Sequence, residues 1–407
     1  YTAALDDRIL AAAPECFITS MEYILKSIGP QDAEQNLIHM ISEGLDHADL
    51  LEVRAPKPAL MITTTRDFFS IQGARETYDE VKQFYNALNA GEQIGMVEDD
   101  DVHASTLKNR EAMYAFFQKY LNNPGSPADQ DVEVFNERDL WVTETGQLAT
   151  SMKGETIYSL NRRIAKNQIA RLKQIRATED FDEHFMNTGK AAKRLSGFEA
   201  PEYSGEAVFS GRYVTEEYVL EKYLIPGGGD CVLPAALYKP LEKGNREVLL
   251  LLDEKGMEHA AGKDSTMIHS LLEQGYSLLL FDVRGTGSLG PGYLKGDAYI
   301  DNTSYNQWFA GILTNKSIVG MRAEDILRIT SFIETRFEEF ETISAIATGA
   351  CGSELLHAAV FDKRIQKIGL VNPFISFADI VLNRDYSPAY IPSVSYTHLT
   401  LPTTIKP

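Results

Sequence analysis

The segment Lys57–Phe69 reads KPALMITTTRDFF. Its centre, Ala59–Thr64 (ALMITT), is a short apolar and β-branched run without polar alternation. Closed by Pro58 on one side and an Arg-Asp pair on the other, such a run predicts a strand covered on both faces. Asp67 follows just beyond its end. In a parallel sheet the strand C-termini share one edge, and groups that act on ligands gather there. A carboxylate at that edge invites a search for the group it serves.

Downstream, Tyr78, Val81, Tyr85 and Leu88 recur at helical spacing, which predicts an amphipathic helix. Gln93–Glu98 (QIGMVE) predicts the next strand, and the acidic loop EDDDVHAST after it carries His103. Met113, Phe116, Phe117, Tyr120 and Leu121 then share a helical face. Strands alternating with helices of this length predict an α/β fold with a mostly parallel sheet. Asp67 and His103 each lie past a strand end, so both side chains can meet at one sheet edge. A carboxylate that accepts from one imidazole nitrogen fixes the tautomer and stabilises the imidazolium, leaving the other nitrogen to take a proton from a nucleophile. The plainer alternative is that Asp67 caps the following helix and His103 is an ordinary loop histidine.

Upstream, Ile9–Thr19 (ILAAAPECFIT) is compatible with a short buried strand, followed by a polar helical stretch and the loop GLDHADLLEVRAPKP. His47 and Asp32 are polar candidates better read as loop hydrogen-bonders or helix caps. His39 sits in an apolar helical pattern and reads as packing. Beyond the second helix, Leu121–Asp131 (LNNPGSPADQD) has linker composition, and residues 139–197 are polar and basic, a connecting helical region.

A second module begins near Ala207. YVLEKYLIPGGGDCVLPAALYKP predicts a hairpin around Gly227–Asp230. Glu247–Leu252 (EVLLLL), Tyr276–Phe281 (YSLLLF) and Ile343–Ala347 (ISAIA) predict buried strands, the last running into the turn and helix TGACGSELLHAA. The glycine run in DVRGTGSLG lacks both the lysine of a GxxxxGK[ST] phosphate loop and the spacing of GxGxxG, and reads as a tight loop after a strand.

Composition bounds the function classes. The chain has 407 residues, 44% hydrophobic, 24% charged and 10% aromatic, a globular profile long enough for two or three domains. A formal charge of −19 argues against nucleic acid or anionic membrane partners. Cys16, Cys231 and Cys351 are dispersed, which supports neither a zinc motif nor a disulfide framework. No window approaches the roughly 18 apolar residues of a membrane span.

The longer text is more specific. YTAALDDRILAAAPECFITS, IGPQDAEQNL, GLDHADLL, APKPALMITTTRDFF and DDVHASTLKNREAMYAFFQKYL together resemble the acetylxylan esterase-like branch of the α/β-hydrolases. The resemblance covers the C-terminal half of that catalytic domain, about residues 1–123. It implies that Asp67 is the triad acid and His103 the triad base, that no metal or cofactor takes part, and that the substrate is an acylated carbohydrate or other small ester. Through the substrate class it points to a periplasmic or secreted location. In that family a G-x-S-G-G-G nucleophile elbow shortly precedes the segment like YTAALDDRI, so the nucleophilic serine and oxyanion loop are expected upstream of Tyr1.

Residues 207–393 resemble the N-terminal half of a second, degenerate hydrolase domain, carried by VLPAALYKP, FDVRGTGSLGPG, VGMRAEDILRI and ISAIATGACGSELLHAAVFDKRI. Residues 124–206 would connect the two. Two registers of the elbow are open. One makes Cys351 the nucleophile of G-x-Nu-x-G, with Ser353 in place of the last glycine. The other, aligned on HAAVFDKRI against YTAALDDRI, puts Gly349 at the nucleophile position and is favoured because it keeps Cys351-Gly352 where the family has small residues. Under it Cys351 is a buried small hydrophobe, and Ser353 lies inside the helix. Val394–Leu399 (VSYTHL) resembles one frame of a transposon adapter, so residues 394–407 are expected to be a non-native tail and His398 carries no chemistry.

The leading expectation is a serine-type carboxylic ester hydrolase, present as a piece without its nucleophile. The alternatives are a non-catalytic hydrolase-like scaffold or binding module, and a dienelactone hydrolase- or peptidase-like activity on the same fold. A circular permutation, with the late strands of residues 1–123 completing the early strands of residues 207–390, would instead pair Asp67 and His103 with the Gly349/Cys351 turn.

Overall fold

In the computed structural model, residues 1–30, 35–202, 206–242, 244–263, 265–290, 292, 297, 299–300, 303–374 and 376–385 are described. Asp32, His398 and the expected non-native tail lie outside them. The chain divides into two compact units, the first comprising Tyr1–Gly154 and the second running from Glu155.

The first unit contains α1 (Thr2–Leu5), α2 (Met21–Lys26), α3 (His47–Glu52), β1 (Ala59–Thr64), α4 (Ile71–Ala87), β2 (Ile94–Asp99), α5 (Leu107–Tyr120) and α6 (Leu148–Ser151). β1 and β2 are parallel, in register from Ala59↔Ile94 to Thr64↔Asp99. Every residue of β1 is buried, and the twofold alternation of a strand explains how. Ala59 and Met61 pack with Ala74, Val81 and Tyr85 of α4. Leu60 and Ile62 pack with Phe116 of α5 on the other face. A strand sandwiched between two helices has no solvent face to mark, so its sequence runs apolar without a break.

Three local expectations differ from the structure. Ile9–Thr19 forms no strand; it touches β1 through isolated parallel bridges, Ala12↔Ala59 and Glu15↔Ile62. Pro14 has no N–H to donate, and Cys16 takes a left-handed φ of 50°, so extended pairing cannot propagate. His39 lies in a turn with φ 63°, not in a helix. His47 opens α3, whose capping box joins Asp46 and Asp49.

The second unit begins with α7 (Ile157–Thr178) and α8 (Phe181–Ser196). These are followed by β3 (Val208–Val214), β4 (Tyr218–Pro226), β5 (Val232–Pro240), β6 (Glu247–Leu252), α9 (Met257–Lys263), α10 (Ser265–Glu273) and β7 (Ser277–Phe281). The short strands β8 (Tyr299–Ile300) and β9 (Thr303–Ser304) precede α11 (Tyr305–Leu313), α12 (Ile318–Arg336), β10 (Thr342–Thr348), α13 (Cys351–Phe361), β11 (Ile365–Val371) and α14 (Phe377–Leu382). Seven strands form one mixed sheet in the order β11-β10-β6-β7-β5-β4-β3. β11, β10, β6 and β7 are parallel neighbours, while β5, β4 and β3 join antiparallel. Leu250, Leu252, Leu279 and Phe281 face α12 and α13, and Leu249, Leu251, Leu278 and Leu280 face the α9–α10 side. Both units are therefore α/β. β1 and β2 form a sheet of their own, so they do not complete the early strands as a circular permutation would require.

Candidate functional site

The parallel register of β1 and β2 ends both strands at the same level, at Thr64 and Asp99. The loops that follow are laced together: Thr65 N–H donates to the Asp99 carbonyl and Arg66 N–H to that of Asp101, each at 2.9 Å. This brings Asp67 and His103 together. His103 Nδ1 lies 3.0 Å from both Asp67 carboxylate oxygens. The carboxylate is 3% exposed and the imidazole 45% exposed, so the acid is sequestered while the base faces solvent.

Asp67 is held from other directions too. Thr64 Oγ1 donates to its Oδ2 at 3.2 Å and Phe69 N–H to its Oδ1 at 3.0 Å. The N-cap of α4 is Ser70, whose Oγ accepts from Gly73 N–H, so Asp67 is not spent on capping. With the proton on Nδ1 directed at the carboxylate, Nε2 presents its lone pair outward, the state of a general base. Phe68 stacks on the imidazole with ring centroids 4.3 Å apart, and the buried Phe69 packs beside Phe68. On α5 the buried Asn109 donates to the Thr63 carbonyl at 3.2 Å, tying the helix after the histidine loop back to β1.

Cys16 lies under the same pair. Its thiol is 3.8 Å from Thr64 Oγ1 and 3.7 Å from the Ala104 carbonyl. Burial pushes this thiol up, and the neighbouring Asp67 carboxylate works in the same direction against Thr64. His47 is elsewhere and structural: fully buried, its Nδ1 sits 3.1 Å from the Thr19 backbone nitrogen, and burial holds its pKa below the ordinary histidine value.

The second unit carries its own aspartate–histidine pair. Asp253, just past β6, accepts at Oδ1 from His259 Nδ1 at 2.8 Å and at Oδ2 from Thr348 Oγ1 at 2.7 Å. Burial works to raise the Asp253 pKa, but Thr348, Lys255 N–H and His259 outweigh it and hold the carboxyl below its ordinary range. The turn from β10 into α13 is a strand–turn–helix of the kind that presents a nucleophile. Its left-handed residue is Gly349, φ 60°, which has no side chain. The Glu254 carboxylate fills the space: a Cβ on Gly349 would lie 2.0 Å from Glu254 Oε2. The same oxygen accepts from Ala350 N–H at 2.9 Å, satisfying a donor at the start of α13. Cys351 is 1% exposed, and burial, reinforced by Glu354, drives its thiol far above its ordinary value, the opposite of an activated thiolate. Ser353 is buried within α13, and Glu354 beside it pairs with Arg322 at 3.0 Å.

No protein-family model matches this chain. No curated protein matches it. Among solved structures it is similar to a Bacteroides fragilis protein assigned as an acetyl xylan esterase, with 16% identity over 56% of this chain and 61% of that one, TM-score 0.43. It is also similar to a methylesterase (14% identity, 51% and 45% covered, TM-score 0.37). An acetyl xylan esterase from Paenibacillus sp. R4 shows 18% identity, 49% and 62% covered, and TM-score 0.34. The chain spans less than two thirds of the length of each of these proteins.

Several contributors were not singled out from sequence. Thr64 and Phe68 flank Asp67 within KPALMITTTRDFF, and a polar β-branched residue and an aromatic beside a strand-end acid are a usable signal for such support. Cys16 gave none, because its approach to Asp67 depends on a chain reversal between distant segments. Asp253 and His259 lie within DEKGMEH, where the same strand-end-acid test would have found them. Glu254 could not be found that way, since its role exists only where the β6 and β10 ends meet.

Proposed function

We propose that Asp67 and His103 are the acid and base of a serine-type carboxylic ester hydrolase of the acetylxylan esterase-like α/β-hydrolase kind, acting on acylated carbohydrate or small esters. The observation that carries this is the sequestered carboxylate 3.0 Å from Nδ1 of an imidazole whose ring stays open to solvent. Nε2 takes the proton of a serine hydroxyl as its oxygen attacks the ester carbonyl, and returns it to the departing alkoxide. Water then enters by the same relay and frees the acid. Asp67 holds the tautomer and stabilises the imidazolium. Among the described residues no serine hydroxyl is hydrogen-bonded to His103, and the mechanism calls for a serine supplied from outside them.

The second unit we read as a non-catalytic hydrolase-like module. Gly349 offers no nucleophile, and Glu254 takes up the backbone donor that an oxyanion would need. Joined to an upstream segment bearing a G-x-S-G-G elbow, the chain should hydrolyse p-nitrophenyl acetate. His103→Ala should lower kcat by roughly 10⁶-fold and Asp67→Asn by roughly 10⁴-fold, both with unchanged circular dichroism. Retained turnover in both folded variants would refute the assignment.

A further inference from the structure

Cys16, Asp67 and His103 together hold a feature that acyl transfer does not use. Each offers one ligand atom, a thiol sulfur, a carboxylate oxygen and an imidazole nitrogen, and these atoms all lie within 4.8 Å of one another. We propose that this cluster is a binding site for a thiophilic divalent cation, with Zn²⁺ as the best-matched ion.

Donors around tetrahedral zinc, bound at about 2.0–2.3 Å, stand roughly 3.3–3.8 Å apart. No pair of these atoms has to close by more than about 1.5 Å to share an ion, and Nδ1 and the carboxylate, 3.0 Å apart, have to open slightly. Two of them are already oriented. Asp67 is fixed by Thr64 Oγ1 and Phe69 N–H. Cys16 is anchored by its backbone N–H to the Ile62 carbonyl at 2.9 Å and by its left-handed backbone. His103, 45% exposed, supplies the solvent-facing ligand and the path of entry, and leaves a fourth position for water.

The donor set also decides the ion. Calcium and magnesium select oxygen ligands, whereas one thiolate, one imidazole and one carboxylate suit zinc or its softer congener cadmium. On binding, the Cys16 S–H proton leaves to solvent as the sulfur–metal bond forms. Metal on Nδ1 takes the place of the proton there, which passes by way of solvent to Nε2; the hydrogen bond to Asp67 is lost and Nε2 no longer offers a lone pair, so the ion and the proton relay exclude each other. Binding itself does not depend on the ester hydrolase assignment.

The test uses the 407-residue chain, with Cd²⁺ monitored by thiolate-to-metal charge-transfer absorption and Zn²⁺ by competition with a chromophoric chelator. One equivalent is expected to bind and develop the absorption, with excess Ca²⁺ or Mg²⁺ unable to displace it. Cys16→Ala should abolish the band and weaken Zn²⁺ binding at least tenfold, and Cys231→Ala should change neither. His103→Ala, at an exposed side chain that leaves the core intact, should weaken binding at least tenfold while keeping a residual band. A band that survives Cys16→Ala, or Zn²⁺ affinity equal in the chain and both site variants, would overturn the proposal. No hydrolysis is measured, so either result leaves the acyl-transfer assignment to its own test.

Discussion

The two units each place an aspartate just past a buried strand and a histidine against it, at 3.0 Å for Asp67–His103 and 2.8 Å for Asp253–His259. The acids are equally sequestered, 3% and 2% exposed, and the imidazoles are 45% and 36% exposed. What differs is the surroundings. His103 comes from the loop after the neighbouring parallel strand, so the pair spans two strand ends. His259 comes from the helix next in sequence, so its pair is local. Beside the local pair, the turn that could carry a nucleophile has a glycine, and Glu254 covers it. An aspartate–histidine contact alone therefore does not mark a relay; what the imidazole can reach decides it.

The largest expected difference tests that distinction. In the elbow-complemented chain, His103→Ala should remove roughly 10⁶-fold in kcat, while His259→Ala should leave turnover within about twofold. The latter should instead cost about 1–3 kcal/mol in urea unfolding, because the buried Asp253 carboxylate loses a hydrogen-bond partner. Equal losses of turnover would erase the contrast between the pairs.

Next in size is Gly349→Ser, which places a hydroxyl on the turn. A side chain at φ 60° carries about 1–3 kcal/mol of backbone strain, and Glu254 must swing out, losing its bond to Ala350 N–H. Adding Glu254→Ala should recover only the steric part, a coupling that a double-mutant cycle on denaturation midpoints reads directly. Full additivity would show that Glu254 does not fill the site.

The units should behave alike in one respect. His47 and His357 both have pKa values lowered by burial. The folded chain thus resists protonation that the unfolded chain accepts near pH 6.5. Stability is complete above that pH and falls as pH drops toward the lowered folded values, each group contributing a slope of up to about 1.4 kcal/mol per pH unit. Replacing either with Gln should flatten the acid limb of a stability–pH curve by one proton's worth. An unchanged slope would place the proton elsewhere.

The smallest effect concerns the stacked ring. Phe68→Ala should lower kcat/KM about twofold to tenfold, the size of one aromatic contact of about 0.5–1.5 kcal/mol. A larger loss would give Phe68 more than a positioning role.

How legible all this was in the sequence follows the range of the interactions. ALMITT, EVLLLL and YSLLLF announce strands because burial on both faces suppresses polar residues, and Asp67 stands out against that background. The pairing of Asp67 with His103 could be anticipated because parallel strands end on one edge. β3, largely exposed at the sheet margin, has no such apolar signature and escaped notice. The strand expected at Ile9–Thr19 failed on Pro14 and on the backbone reversal at Cys16, which a cysteine does not advertise as a glycine would. The occupation of the Gly349 turn by Glu254 depends on two strand ends far apart in sequence, beyond any local pattern.

The hydrogen bond from Asn109 to the Thr63 carbonyl has a further consequence. Together with the β2 register at Asp99 it fastens both ends of the acidic loop that carries His103. A loop fastened at both ends has few conformations left to lose, so the imidazole is ordered when the chain folds and, on the proposed function, not when an ester arrives. Substrate binding energy then need not go into gathering the relay. Cutting that tether should show first as a slower reaction at saturating ester, with substrate affinity preserved.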